Sequence, residues 1–168
     1  MKNTWTKTIM TVYRYLERVA GAIDKLVDRQ ALNSYYSSCG KNGIIDVANE
    51  IIELTERKVK LINLKVLTEN ALDNIDELYA QLLIEKYIDS DKCEKIAERH
   101  NLPMRTYFRR VEEAEEKFNS FLIKKGYNND KLNDYLSKET WIIDVFESFN
   151  KKEEIKFFDV SGEKVENF

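Results

Sequence analysis

The chain predicts an all-α fold: a long antiparallel helical hairpin, then a helix-turn-helix domain, then a C-terminal helix with a small β-hairpin or tail. Three observations predict it. Five Gly and one Pro in 168 residues, against 34% charged residues, favour long helices over turn-rich sheets. Apolar residues recur at steps of three and four over most of the chain. A hydrophobic content of 43% is enough to bury a core, and the length suits one domain or two small ones.

Trp5, Ile9, Val12, Leu16, Val19, Ile23 and Leu26 alternate steps of four and three, an uninterrupted a/d seam that predicts a coiled-coil helix. It continues toward Tyr35 and Tyr36 and ends before Cys39-Gly40-Lys41-Asn42-Gly43, whose glycines and Asn mark a turn. A second long helix starts at Ile44, with Ala48, Ile51, Ile52, Val59, Ile62 and Val66 on one side and a polar interruption at Thr55. A short turn between two long amphipathic helices makes residues 1–72 an antiparallel hairpin or coiled-coil region. The seam closes either within the chain or between two chains.

Asn74-Ile75-Asp76-Glu77 opens a third helix in capping-box fashion, and Ile75, Leu78, Tyr79, Leu82, Leu83 and Tyr87 follow at helical spacing. After a break at Ile88 to Ser90 comes the most informative stretch, Cys93 to Val111. Ile96, Ala97 and His100 lie three, four and seven residues after Cys93, which gives a short helix one narrow face. Asn101 suits a turn position that requires left-handed backbone, Leu102 plugs the joint, and Pro103 fits the first turn of the next helix. Along that helix Tyr107, Val111, Ala114, Phe118 and Leu122 form the buried face, and Gly126 stops it, with Lys124 and Lys125 at the negative end of its dipole. The helix-turn-helix domain is therefore residues 73–126. Its second helix exposes Met104, Arg105, Thr106, Phe108 and Arg109 in the first turns, with Arg110 beside them, as a surface for a DNA major groove. Arg99, next to the turn, is placed to touch backbone phosphate. Arginine pairs with guanine O6 and N7 or neutralises phosphate, and spacing does not choose between these. A pair of amphipathic helices with no DNA role fits the same pattern.

Beyond Gly126, Leu132, Tyr135, Leu136, Ile142, Ile143, Phe146 and Phe149 predict one further amphipathic helix, with Trp141 at its margin. Ile155 to Val160, Ser161-Gly162 and Glu163 to Phe168 read as a small hairpin or a tail. Residues 127–168 form an acidic C-terminal extension with ten acidic and six basic side chains, a net of −4, so the other residues carry +1 of the total −3. Residues 99–110 hold four arginines and no acid, while Glu112, Glu113, Glu115 and Glu116 follow directly. A basic footprint so small predicts weak binding by one copy and a shallow salt dependence. A second half-site, supplied by two-fold symmetry, would compensate, which favours a homodimer.

No apolar run reaches membrane-spanning length and no signal-peptide pattern opens the chain, so no membrane partner and a cytoplasmic protein are expected. Cys39 and Cys93 stand in unrelated contexts, as in a reduced protein. With one His and none of the common metal or nucleophile motifs, no enzyme activity, metal or cofactor is expected.

Tyr87-Ile88-Asp89, then Glu94 to Glu98, then Arg105-Thr106-Tyr107-Phe108-Arg109-Arg110, with Ala114 and Phe118 following, resemble the last part of the region-four domain of bacterial sigma factors. They are more similar still to phage and mobile-element regulators of the ArpU and RinA kind, in which an Arg-Thr-Tyr-aromatic-Arg run opens the recognition helix. The likeness covers roughly residues 75 to 122. The departures are Lys92 for a small capping residue, Asn101 for Gly and Pro103 for Ser; Asp91 with Glu94 offers a substitute cap. The resemblance implies sequence-specific binding of promoter-proximal double-stranded DNA and contact with RNA polymerase. Two other readings stay open: a sigma-like adaptor acting through protein contacts of its acidic extension, and a structural coiled-coil module.

Overall fold

The computed structural model contains seven α-helices and no strand among the residues it describes, 3–36 and 43–162, with side chains described for all of these except 35, 36 and 153–162. They are α1 (Thr4–Tyr36), α2 (Ile44–Asp73), α3 (Glu77–Leu83), extended by a π-helical turn (Ile84–Ile88), α4 (Cys93–Arg99), α5 (Met104–Lys124), α6 (Asn129–Leu136) and α7 (Thr140–Gly162). The all-α class is as expected. The helices group into two compact units, Tyr13–Glu69 and Met1–Val12 with Asn70–Phe168.

In Tyr13–Glu69, Leu16, Ala20 and Ile23 of α1 and Leu61, Leu64 and Thr68 of α2 are buried. Tyr13 donates to Glu69 at 2.7 Å, Lys65 to Glu17 at 3.0 Å and Lys58 to Asp24 at 2.6 Å. Contacts that climb α1 descend α2, so the two helices run antiparallel. Burial, then the Glu69 hydrogen bond, pushes the Tyr13 phenol up to about 12. Gly43 starts α2 by accepting the amides of Asp46 and Val47; residues 39–42 of the expected turn lie outside the described residues.

The apolar side read for α2 is the outer one. Ala48, Ile52, Val59, Ile62 and Val66 are exposed and Ile51 is half-buried, while Leu61, Leu64 and Thr68 face inward. Two apolar stripes run along this helix, and a two-helix layer has room for only one of them. Leu26, the last residue of the α1 seam, is also exposed.

The other unit is deeper, with Trp5, Ile9, Met10, Tyr107, Phe118, Leu122, Leu136 and Ile142 all essentially inaccessible. Two capping expectations fail here. Asn74, the cap expected for α3, lies two residues before the cap position and donates its Nδ2 to the Asn70 carbonyl at 2.8 Å; Asp76 takes the cap position but makes no side-chain cap, because its carboxylate takes Lys117 Nζ at 2.6 Å, which holds it below its usual range. Likewise Lys92, not Asp91, precedes α4, and Asp91 accepts from Arg99 at 3.1 Å instead. An ionised partner outcompetes neutral backbone N–H groups for a carboxylate.

Past Gly126 the expected single helix is two. Asn128 caps α6 by accepting the Lys131 amide at 2.9 Å, and the Ser137 hydroxyl returns to the Asp134 carbonyl at 2.8 Å to close it. Glu139, almost wholly buried, then starts α7: its carbonyl accepts the Ile142 amide at 2.9 Å and its carboxylate accepts Trp141 Nε1 at 3.1 Å. The Trp5 and Phe146 rings stack at 4.4 Å, which ties the start of α1 to α7. Residues 155–162 continue α7, so the first strand of the expected hairpin does not form, and 163–168 lie outside the described residues. No breaker precedes Ser161-Gly162, and extending a helix gains one hydrogen bond per residue whereas an isolated hairpin is marginal.

Candidate nucleic-acid interface

Residues 100–103 join α4 to α5 through a turn built on one left-handed residue. Asn101 has φ +50°, a conformation Asn tolerates better than most side chains. The Leu102 amide then bonds the Ala97 carbonyl at 2.8 Å and Asn101 bonds Glu98 at 3.0 Å, which satisfies the end of α4. Pro103 lies one residue before the first turn of α5, where its carbonyl accepts the Tyr107 amide at 2.9 Å. Behind the turn, Leu82, Ile96, Ala97, Tyr107 and Val111 form a closed cluster, with Leu78, Cys93 and Leu102 packed at its edge. Ala97 permits the close approach of α4 to α5.

This packing orients α5. With Tyr107 and Val111 inward, Met104, Arg105, Phe108 and Arg109 are exposed, and Thr106 is half-buried at the margin. Phe108 stands edge-on to Tyr107 with ring centroids 5.2 Å apart. Arg109 Nε lies 3.7 Å from Glu113 on the same helix, a side-chain pair two-thirds exposed on the arginine side. No acid occupies the first turn of α5 and no side chain caps it, so the leading amide groups face outward with the positive end of the helix dipole beside Arg105.

The remaining two arginines are engaged. Arg110 is half-buried, donates to the Tyr79 hydroxyl at 3.1 Å and lies over the Tyr79 ring, which turns it toward α3. Its neighbour Val111 is buried, so Arg110 flanks the inner face, a placement readable from the spacing. Arg99 bridges Glu85 and Asp91, each at 3.1 Å, and Glu85 also meets His100 Nε2 at 3.1 Å. Of the seven residues marked from sequence, then, the structure brings Met104, Arg105, Thr106, Phe108 and Arg109 together at the open end of α5. It ties Arg99 and Arg110 to other side chains.

Glu85 and Glu115, both absent from the residues marked from sequence, organise the support. Glu115 is buried and accepts from Tyr87 through a short hydrogen bond, from Lys86 at 3.3 Å, and lies 4.0 Å from Lys7, while its carbonyl accepts Thr6 at 3.5 Å. Burial, then the Glu115 charge and hydrogen bond, drives the Tyr87 phenol far above its ordinary value. The signal was present, since Glu115 follows Val111 by four residues and precedes Phe118 by three, on the inner face of α5. The π-helical turn, closed by the Asp89 amide on Ile84 at 2.9 Å, brings Glu85 to Arg99 and Tyr87 to Glu115.

At the far end, Gly126 with φ +83° and its amide on Ile123 and that of Tyr127 on Leu122, both at 2.9 Å, end α5 in a Schellman motif. No group of three His, Cys, Asp or Glu suited to a metal occurs among the described residues, and no helix among them is long and apolar enough to cross a membrane. No protein-family model matches the chain, and neither a comparison with curated proteins nor one with solved structures returns a match.

Proposed function

We propose that the protein is a sequence-specific DNA-binding transcription regulator that lays the first turns of α5 in a major groove, in the manner of the sigma region-four-like phage and mobile-element regulators it resembles. The observation that carries this reading is the open end of α5. Arg105 and Arg109 stand exposed beside uncapped amide groups, with the exposed Met104 and Phe108 next to them. Arginines supply guanine or phosphate contacts, leading amides bind phosphate, and Met104, Thr106 and Phe108 meet thymine methyls. Arg99 and Arg110 act behind this face, holding α4 against Glu85 and α5 against Tyr79. Double-stranded DNA is thus the partner, and no enzyme activity or cofactor is invoked.

The test is fluorescence anisotropy with mixed-sequence duplex at about 50 mM and about 200 mM salt, where non-specific affinities of ~10⁻⁴–10⁻⁶ M are usual. The wild type should bind at the lower salt and weaken at the higher. Arg105→Ala with Arg109→Ala should lose binding with helicity and melting unchanged; equal affinity in that variant refutes the face.

The acid-rich segment 127–168 favours a second reading, an adaptor that contacts RNA polymerase or another regulator. Truncation would strip Leu132, Leu136 and Ile142 from the core, so the useful variant neutralises the exposed Asp130, Asp134, Asp144 and Glu147. An adaptor loses polymerase binding in that variant, and a DNA reader keeps its site.

A further inference from the structure

The second apolar stripe of α2 has the repeat of a coiled coil. Ile45, Ile52, Val59 and Val66 recur every seven residues, and Ala48, Thr55 and Ile62 fall three after each of the first three. The bulky members are open to solvent: Ile45 75%, Ile52 54%, Val59 50%, Ile62 42% and Val66 47% exposed, with Ala48 and Thr55 exposed between them. A seven-residue repeat drifts about 20° per heptad on a straight helix, so only a supercoiled partner helix follows it along its length. Over about 30 Å of helix, an exposed seam this long exceeds the scattered apolar residues of ordinary surfaces.

From these positions we infer that α2 pairs through this seam with α2 of a second copy, in a parallel, in-register, two-stranded coiled coil. Every first-core position is β-branched, one half of the pattern that favours two parallel strands, while Ala48, Thr55 and Ile62 rather than Leu fill the second-core positions. The flanking positions agree. Side by side and in register, Ile44 meets Asn49 of the other copy, Ile51 meets Glu56, Lys58 meets Asn63 and Lys65 meets Asn70, with no like-charge pair among them. Lys58 and Lys65 are moreover already neutralised in their own chain by Asp24 at 2.6 Å and Glu17 at 3.0 Å. The reverse orientation, at full overlap, sets Glu56 against Glu56. The uncharged Asn49, Asn63 and Asn70 are what make the parallel arrangement free of repulsion. A second copy deepens the DNA-binding reading by supplying a second weak reader, yet the inference stands on α2 alone.

The test contains no DNA, so its failure and the failure of DNA reading are separate results. Sedimentation of the full chain from about 1 to 100 μM under reducing conditions should give a two-chain mass. Ile52→Lys with Val59→Lys, both at exposed sites, should sediment as one chain with unchanged helicity. In a Cys39→Ser, Cys93→Ala background, Val59→Cys should cross-link to itself on oxidation, since equivalent core positions face each other only in the parallel form. A one-chain wild type overturns the inference and leaves the seam to a helix of another protein. A two-chain mass that survives both lysines, a three-chain or larger mass, or a Val59→Cys variant that does not cross-link also overturns it.

Discussion

The unit formed by Met1–Val12 with Asn70–Phe168 buries aromatic rings and even carboxylates, whereas Tyr13–Glu69 buries a strip of medium-sized aliphatic residues and leaves a second strip in water. The difference follows from the number of layers. Where α5 is covered by α3 and α4, its inner face closes around Tyr107 and Val111, and further along it buries Glu115 and Phe118. Two antiparallel helices cover one face each. A second apolar face is left in water, as on α2.

Substitutions separate the two regions most sharply at Phe118, which is fully buried on α5. Phe118→Ala should cost about 3–5 kcal/mol, through lost burial plus the cavity left in a well-packed site. Denaturant unfolding followed by Trp fluorescence reads this unit alone, because both tryptophans, Trp5 and Trp141, lie in it. A loss below about 1 kcal/mol would show that the core is loosely packed there.

Glu115→Ala should come next, at about 3 kcal/mol, because it strands the Tyr87 hydroxyl and the Lys86 ammonium together. Glu115→Gln keeps an acceptor and should recover much of this. Equal losses in both variants would mean that charge, not hydrogen bonding, holds the site.

Alkaline pH acts on the same group. The Tyr87 phenol is raised far above its ordinary value of 10.0 by burial first and Glu115 second, so its neutral form belongs to the folded state. The stability it contributes is fully present below pH 10 and is lost as pH rises from there toward the folded value, since the unfolded chain releases that proton first. Stability measured at pH 9 and at pH 11 should therefore fall less in Tyr87→Phe than in the wild type. Identical slopes would remove Tyr87 from the account.

The smallest effect is expected in the other unit. Ile52→Ala, at a half-exposed site, should change the stability of an isolated chain by about 0.5 kcal/mol or less. A loss as large as that of Phe118→Ala, under conditions where the chain sediments singly, would mean that Ile52 is buried within one copy.

Much of this architecture was legible from local signals. The first part of the α1 seam, the Asn101 turn and the Gly126 stop each depend on residues close in sequence and stand where their spacing put them, while Leu26 at the end of the seam is exposed. What was not legible depended mainly on distant partners. Asn74 and Asp91 read as caps, yet Asn74 turns back on Asn70, while Asp76 and Asp91 are claimed by Lys117 and Arg99, pairs that nothing within a few residues announces. The two stripes of α2 are equally apolar, so choosing the inner one requires knowing what lies across from it. The break between α6 and α7 rests on Ser137 and on the buried Glu139, neither of which is a strong breaker. Of the candidate site, the exposed group on α5 followed from its buried face, while the internal contacts of Arg110 required Tyr79 on α3.

The most direct test of the central claim is selection from a pool of random duplex DNA, with recovery and sequencing of what is bound over several rounds. The wild type should enrich a single motif, arranged with two-fold symmetry, and Arg105→Ala with Arg109→Ala should enrich none. Enrichment of the same motif by both proteins, or of no motif by the wild type, would contradict the account.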